Sequence, residues 1–160
     1  MVTVPADEIL DILDLVKDPE IPVVSVRDMG IIRRVEAGKD RLKIVITPTY
    51  SGCPAMEVIE RDITAMLKLH GFNEFDVETE ISPAWTTDWI TEAGRKKLHE
   101  YGIAPPANRG KAALMGREAV ACPQCDSSNT VLVSEFGSTA CKALYKCRDC
   151  LEPFDYFKCV

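Results

Sequence analysis

Apolar residues first recur at a helical interval. Ile9, Ile12, Leu13 and Val16 stand at i, i+3, i+4 and i+7, which predicts a helix over residues 5–17. Asp7 and Glu8 fall in its first turn, where the helix dipole favours acids. Pro5 opens the helix and Pro19 closes it, because the residue before a proline is pushed out of the helical region. The pattern then shortens to that of strands. Residues 30–35 and 41–46 read as a strand pair around a hairpin turn at 37–40. A loop at 47–54 leads into an amphipathic helix from Pro54 to about His70. Met56, Ile59, Ile63 and Met66 form its apolar face, and Gly71 is placed as a left-handed terminator. Phe75, Val77 and Ile81 predict a third strand, ended by Pro83. Thr86 is placed to cap a third helix through about Lys97, with Trp85 and Ile90 spaced as a hydrophobic staple. The order α-β-β-α-β-α predicts a small two-layer α+β domain over residues 1–102.

Past Gly102 the periodicity is lost. Residues 103–118 hold two prolines and no apolar repeat and read as a linker. Residues 119–160 hold six of the seven cysteines. Residues 130–134 and 143–147 read as strands, and Phe154, Tyr156 and Phe157 suggest a third. This segment is too short to bury a core of its own, so a small metal-bound β ribbon is expected, with the ion supplying much of the folding energy.

Composition places the chain among ordinary soluble globular proteins: 46% hydrophobic and 28% charged, with a net charge of −6. Neither part is a basic module, so nucleic acid and anionic membranes are not expected partners. No apolar run approaches a membrane span, and the N-terminal residues lack the basic and apolar regions of a signal peptide. The expected location is the cytoplasm, where paired CxxC turns favour a reduced metal site over disulfides.

Cys122-Pro123-Gln124-Cys125 and Cys147-Arg148-Asp149-Cys150 are the strongest chemical signal. A CxxC turn points two thiolates at one ion, and two such turns complete the tetrahedral sulfur shell that suits zinc, or iron in a rubredoxin-like site. Zinc is preferred because a closed structural site needs no redox metal. Cys141 and Cys159 could replace a ligand, join a second site, or fill the ribbon core as small apolar residues.

A second constellation lies in the first domain. Cys53 stands where a glycine-containing loop enters a helix, a position that favours a thiolate and could hold iron or a cluster transiently. Thr49 shares this loop, and the Asp18 and Glu20 loop could supply carboxylates to the same edge. The plainer alternative makes Cys53 a buried loop residue and Asp18 a cap. His70 and His99 read as C-terminal dipole partners, and Trp85 and Trp89 as anchors of the third helix. No P-loop, GxGxxG fingerprint, nucleophile elbow or di-iron E-x-x-H pair is present.

Residues 18–31 and 47–54 resemble the iron–sulfur assembly domain of SufT-type proteins. Residues 83–90 narrow the likeness, as do 136–145 and 152–159 in the tail. Across nearly its whole length the chain resembles the PaaD-like family of bacterial phenylacetate degradation. That resemblance implies a role with the phenylacetyl-CoA 1,2-epoxidase system, an NADPH- and O2-dependent monooxygenase. Its di-iron oxygenase and its flavin/[2Fe–2S] reductase would be the partners. By position, Asp18, Glu20, Thr49 and Cys53 fall in the family's motif loops and the C-terminal cysteines in its metal-binding tail. The expected role is an accessory factor that assists assembly of iron–sulfur or di-iron centres. The alternative is an integral subunit, non-catalytic or relaying electrons. The oligomeric state, a homodimer included, stays open. One departure is Asp126, where such knuckles usually carry glycine.

Overall fold

The first helix, α1, spans Ala6–Leu13 and buries Ile9, Ile12 and Leu13. It stops four residues short of the expectation, although Val16 is buried too. Asp14 to Val16 close turns back onto Leu10, Ile12 and Leu13, and from Val16 on the backbone pairs with a neighbouring loop. Val26 N–H donates to the Val16 carbonyl at 2.9 Å, Lys17 bridges Ser25, and the Ser25 hydroxyl donates to Asp14. Buried main-chain groups need partners, and here extended pairing satisfies more of them than another helical turn. The structure, a computed structural model, describes residues 4–38, 41–106 and 119–158.

Strands β1 (Ile32–Ala37) and β2 (Leu42–Ile46) pair antiparallel, as predicted, with Gly38 N–H closing onto the Arg41 carbonyl at 3.0 Å. Turn residues 39 and 40 lie outside the described residues. The register shifts between Ile32 and Arg34, so Arg33 is the extra residue of a bulge. Helix α2 (Ala55–Leu69) follows and is terminated by Gly71 at φ +88°. Its buried face is Ala55, Ile59, Ile63 and Leu67, a strict four-residue repeat. Met56 and Met66, expected on that face, sit half-buried at its margin. Strand β3 (Phe75–Thr79) returns parallel to β2, giving the order β1-β2-β3 with β2 central. A helix between parallel neighbours is the usual crossover.

The third helix divides. Thr86 accepts from Asp88 N–H at 3.2 Å and caps only a 3-10 turn, Thr87–Trp89. Helix α3 (Glu92–Glu100) starts afresh behind Thr91, whose hydroxyl accepts from Gly94 N–H at 3.0 Å. Trp85 is buried, and its indole N–H donates to the Met29 carbonyl at 2.8 Å. Trp89 is half-buried, with the Arg33 guanidinium stacked 3.4 Å above its ring. Segments 18–31 and 83–90, far apart in the chain, are therefore locked together.

The chain divides into two units, Met1–Gly94 and Arg95–Val160, with the division falling inside α3. In the second unit, β4 (Ile103–Ala104) pairs parallel with β7 (Pro153–Phe157). Ile103 and Ala104, expected in the linker, thus belong to the ribbon sheet; residues 107–118 of that segment lie outside the described residues. Strands β5 (Thr130–Ser134) and β6 (Lys142–Cys147) complete the order β4-β7-β6-β5. Ala104, Val120, Cys122, Cys147 and Phe154 form a small core, with Tyr145 and Tyr156 against it. The α+β reading and the cysteine ribbon are both present. Among the described residues, no helix is long and apolar enough to cross a membrane.

Candidate metal centre

Each CxxC pair is shaped by the backbone that follows it. In the first turn, Asp126 N–H donates to the Cys122 carbonyl at 2.8 Å and Cys122 N–H to the Ser127 carbonyl at 2.9 Å. In the second, Cys147 N–H donates to the Glu152 carbonyl at 2.9 Å. The residue after each second cysteine adopts a left-handed conformation, Asp126 at φ +58° and Leu151 at φ +67°. Aspartate tolerates this conformation; leucine has no side-chain reason to adopt it and is held there by the turn.

The four sulfurs, Cys122, Cys125, Cys147 and Cys150, lie within 4.8 Å of one another. Cys122 to Cys150 and Cys125 to Cys147 are each 3.6 Å, far beyond a disulfide bond. A tetrahedral shell with metal–sulfur bonds of about 2.3 Å has edges of about 3.8 Å, so the spacing fits one ion at the centre. Cys122 and Cys147 are buried within the ribbon core, whereas Cys125 and Cys150 lie toward solvent.

The crowding of the sulfurs shows in their electrostatics. The Cys150 backbone N–H, opposed by burial and helped by the Asp149 N–H, lowers the Cys147 thiol to about 7. Cys150 moves the other way, to about 12: the Glu152 N–H favours its thiolate, but burial and the sulfurs of Cys147, Cys122 and Cys125 outweigh it. Cys125 is raised too; the Ser127 N–H and Cys150 favour its thiolate but are outweighed by burial and the sulfurs of Cys147 and Cys122. One thiol is favoured as the thiolate while Cys150 and Cys125 are held toward the protonated form, as crowded sulfurs must be when they share no cation.

A lock joins the two turns that sequence reasoning does not find. Asp149, between the second pair of cysteines, accepts from Ser127 Oγ and, at 2.8 Å, from Asn129 Nδ2 behind the first pair. Those two hydrogen bonds hold its carboxyl below the usual range. A signal exists: small polar residues at 127–129 are those that cap turns, but nothing local names their partner.

Cys141 stands apart from the quartet. It is buried, its sulfur is 3.0 Å from the Thr139 hydroxyl, and its carbonyl accepts from Lys158 N–H at 2.9 Å. Cys159 lies outside the described residues. In the first unit, Asp18 is buried and its Oδ1 accepts from Glu20 N–H at 2.8 Å and Ile21 N–H at 2.9 Å, so it caps its own loop. Glu20 and Thr49 are half-buried. Cys53 is half-buried behind Gly52 at φ +77°; its N–H donates to the Tyr50 carbonyl at 3.2 Å and its carbonyl accepts from Met56 N–H at 3.2 Å. Among the described residues, the cysteine quartet is the one group of three or more His, Cys, Asp or Glu side chains within metal-sharing reach. Asp18, Glu20 and Cys53 are not drawn into such a cluster. His70 caps the end of α2, with Nδ1 2.9 Å from the Met66 carbonyl, and His99 lies in the last turn of α3 with Nε2 3.4 Å from Asp126.

Residues 106–158 match the family model of the PaaD zinc beta ribbon domain, and residues 6–79 match that of an iron-sulfur cluster assembly protein. A protein of Escherichia coli (strain K12) is 50% identical over 153 residues, which span 96% of this chain and 92% of the relative. The chain belongs to the PaaD family. The Escherichia coli member is provisionally named as a subunit of 1,2-phenylacetyl-CoA epoxidase. Two solved structures resemble part of the chain. A domain of unknown function from Bacillus anthracis is 25% identical, with a TM-score of 0.54, and covers 58% of this chain and 90% of its own. A conserved hypothetical protein from Thermotoga maritima is 26% identical, with a TM-score of 0.51, and covers 61% and 98%.

Proposed function

We propose that this PaaD-family chain is an accessory protein of a phenylacetyl-CoA 1,2-epoxidase, assisting assembly of the iron–sulfur or di-iron centres of its partner subunits. The observation that carries the reading is the joining, in one chain, of an iron–sulfur assembly domain and a zinc-ribbon domain, shared end to end with a relative named for that epoxidase. Its partners would be the oxygenase and the flavin/[2Fe–2S] reductase. A site of reduced thiols suits the cytoplasm.

Under this reading Cys122, Cys125, Cys147 and Cys150 hold one structural zinc. The ion supplies cross-linking charge and no redox chemistry; the chain's own contribution is the pair of turns that presents four sulfurs. Closed coordination leaves no position for substrate, so the ribbon stabilises and docks. The cargo, iron or a cluster, is held at Cys53, the half-buried thiol of the Thr49–Pro54 loop. Asp18 braces the loop that carries Glu20. A single protein thiolate leaves the cargo's other positions for a recipient's ligands, which is what transfer needs.

The test is metal occupancy in cells. Co-expressed with the partner subunits, Cys53→Ser should lower the iron content of the reductase and di-iron subunits while its own zinc stays. Unchanged partner occupancy overturns the assembly role. A reversible iron chromophore in the ribbon would instead favour an electron-relay subunit.

A further inference from the structure

On the first unit, a cavity of about 420 Å³ opens between α1, the start of β1 and the 3-10 turn. Arg27, Arg33 and Arg34 line it, with Leu10, Ile32 and Trp89, and no carboxylate lies among its lining residues. We infer that this cavity binds an organic oxyanion, a carboxylate or phosphate carried on an apolar body.

The three arginines are not equivalent. Arg34 is neutralised by Glu36 and Glu80, and Arg27 meets Asp11, a carboxylate 79% exposed to solvent. Arg33 has no carboxylate within ion-pair reach among the described residues, although the chain carries 25 acidic residues against 19 basic ones. It is half-buried, and what holds it is the face of Trp89, 3.4 Å from the guanidinium carbon. A stacked guanidinium loses rotamer freedom yet keeps its N–H fork in the ring-parallel plane, which suits bidentate contact to an oxyanion.

Two backbone features make that stack. Arg33 is the extra residue of the β1 bulge, a device that re-aims a side chain. Gly30 lets the 3-10 turn approach: a Cβ there would stand 2.4 Å from the Trp89 carbonyl oxygen. A half-buried cation kept from the chain's many acids, in a cavity that Arg27 lines with it alongside the aliphatic Leu10 and Ile32, is arranged for a ligand that is anionic at one end and apolar at the other. This inference is independent of the assembly role.

The test is a titration of the full-length protein with phenyl phosphate, with inorganic phosphate and with chloride at matched ionic strength, followed by amide shifts around Trp89 and Arg33. Phenyl phosphate should saturate, inorganic phosphate should bind roughly tenfold more weakly, and Arg33→Gln should raise the phenyl phosphate midpoint at least about tenfold. Arg33→Lys, which keeps the charge but neither fork nor stack, should lose most of the same affinity; amide shifts away from the cavity report that both variants fold. No saturable response, equal responses to chloride, or wild-type binding by Arg33→Gln or Arg33→Lys would overturn the proposal. So would equal affinity for inorganic phosphate, since the apolar floor would then contribute nothing.

Discussion

The two cysteine environments of this chain are built on opposite plans. In the ribbon, four sulfurs converge within 4.8 Å, two of them inside the local core, and backbone N–H groups already bias one toward the thiolate. In the first unit, Cys53 stands alone in a half-buried loop whose backbone bonds shape only its own turn. A closed sulfur shell holds its ion as part of the fold; one thiol on a loop can hold a ligand and release it. Under the proposed function, the tail supplies stability and the first unit the exchange chemistry.

Metal removal should separate the two units most sharply. A strong chelator is expected to unfold the ribbon, whose small core around Cys122 and Cys147 is built on the metal-binding turns, while the helices of the first unit persist. Near-ultraviolet and amide spectra would show loss of β5–β7 with α2 intact; simultaneous melting of both would break the comparison. A smaller effect is expected at Asp18. Asp18→Ala leaves the Glu20 and Ile21 amides without their acceptor, at a cost of about 2 kcal/mol in denaturant unfolding of the first unit. An unchanged stability with altered iron binding would instead make Asp18 a ligand.

Leu151→Gly should move in the opposite direction. It relieves a left-handed leucine that is exposed to solvent, stabilising the ribbon by roughly 0.5–1 kcal/mol, read as a higher chelator concentration for unfolding. The smallest effect is in pH dependence. Cys147 titrates near 7, below its ordinary value, so its thiolate favours the folded metal-free ribbon at alkaline pH and that contribution is lost as pH falls through 7. Because the metal-free ribbon is mostly unfolded, that preference should show as more residual ribbon structure after chelation at pH 8 than at pH 6, with zinc affinity rising with pH throughout. Residual ribbon structure that does not change across pH 7 would place the first thiolate elsewhere.

What the residues reveal follows the range of the interactions involved. The quartet and β5, β6 and β7 are legible because CxxC spacing and strand alternation are local. The early end of α1 is not, since Val16 keeps the helical period and only its bond to Val26 shows that the backbone has left it. Strand β4 escapes for the same reason: two residues carry no period, and their partner is Asp155–Tyr156, some fifty positions away. Sequence places the start of the third helix at Thr86, though Thr91 followed by Glu92 offers an equally good cap and is the one α3 uses. On α2 the middle of the apolar stripe, Ile59 and Ile63, is found, but each end is misplaced by one residue in opposite directions, because Met56 and Met66 are as hydrophobic as the Ala55 and Leu67 that are buried. Asp149 and Arg33 require three dimensions: one crosses between knuckles, the other is aimed by a bulge.

The most direct measurement is zinc and iron per chain, by elemental analysis, in the purified wild type, Cys53→Ser and Cys147→Ser. The account predicts one zinc in the wild type and in Cys53→Ser, and none in Cys147→Ser. Iron in place of zinc in the ribbon, or loss of the zinc with Cys53→Ser, would contradict it.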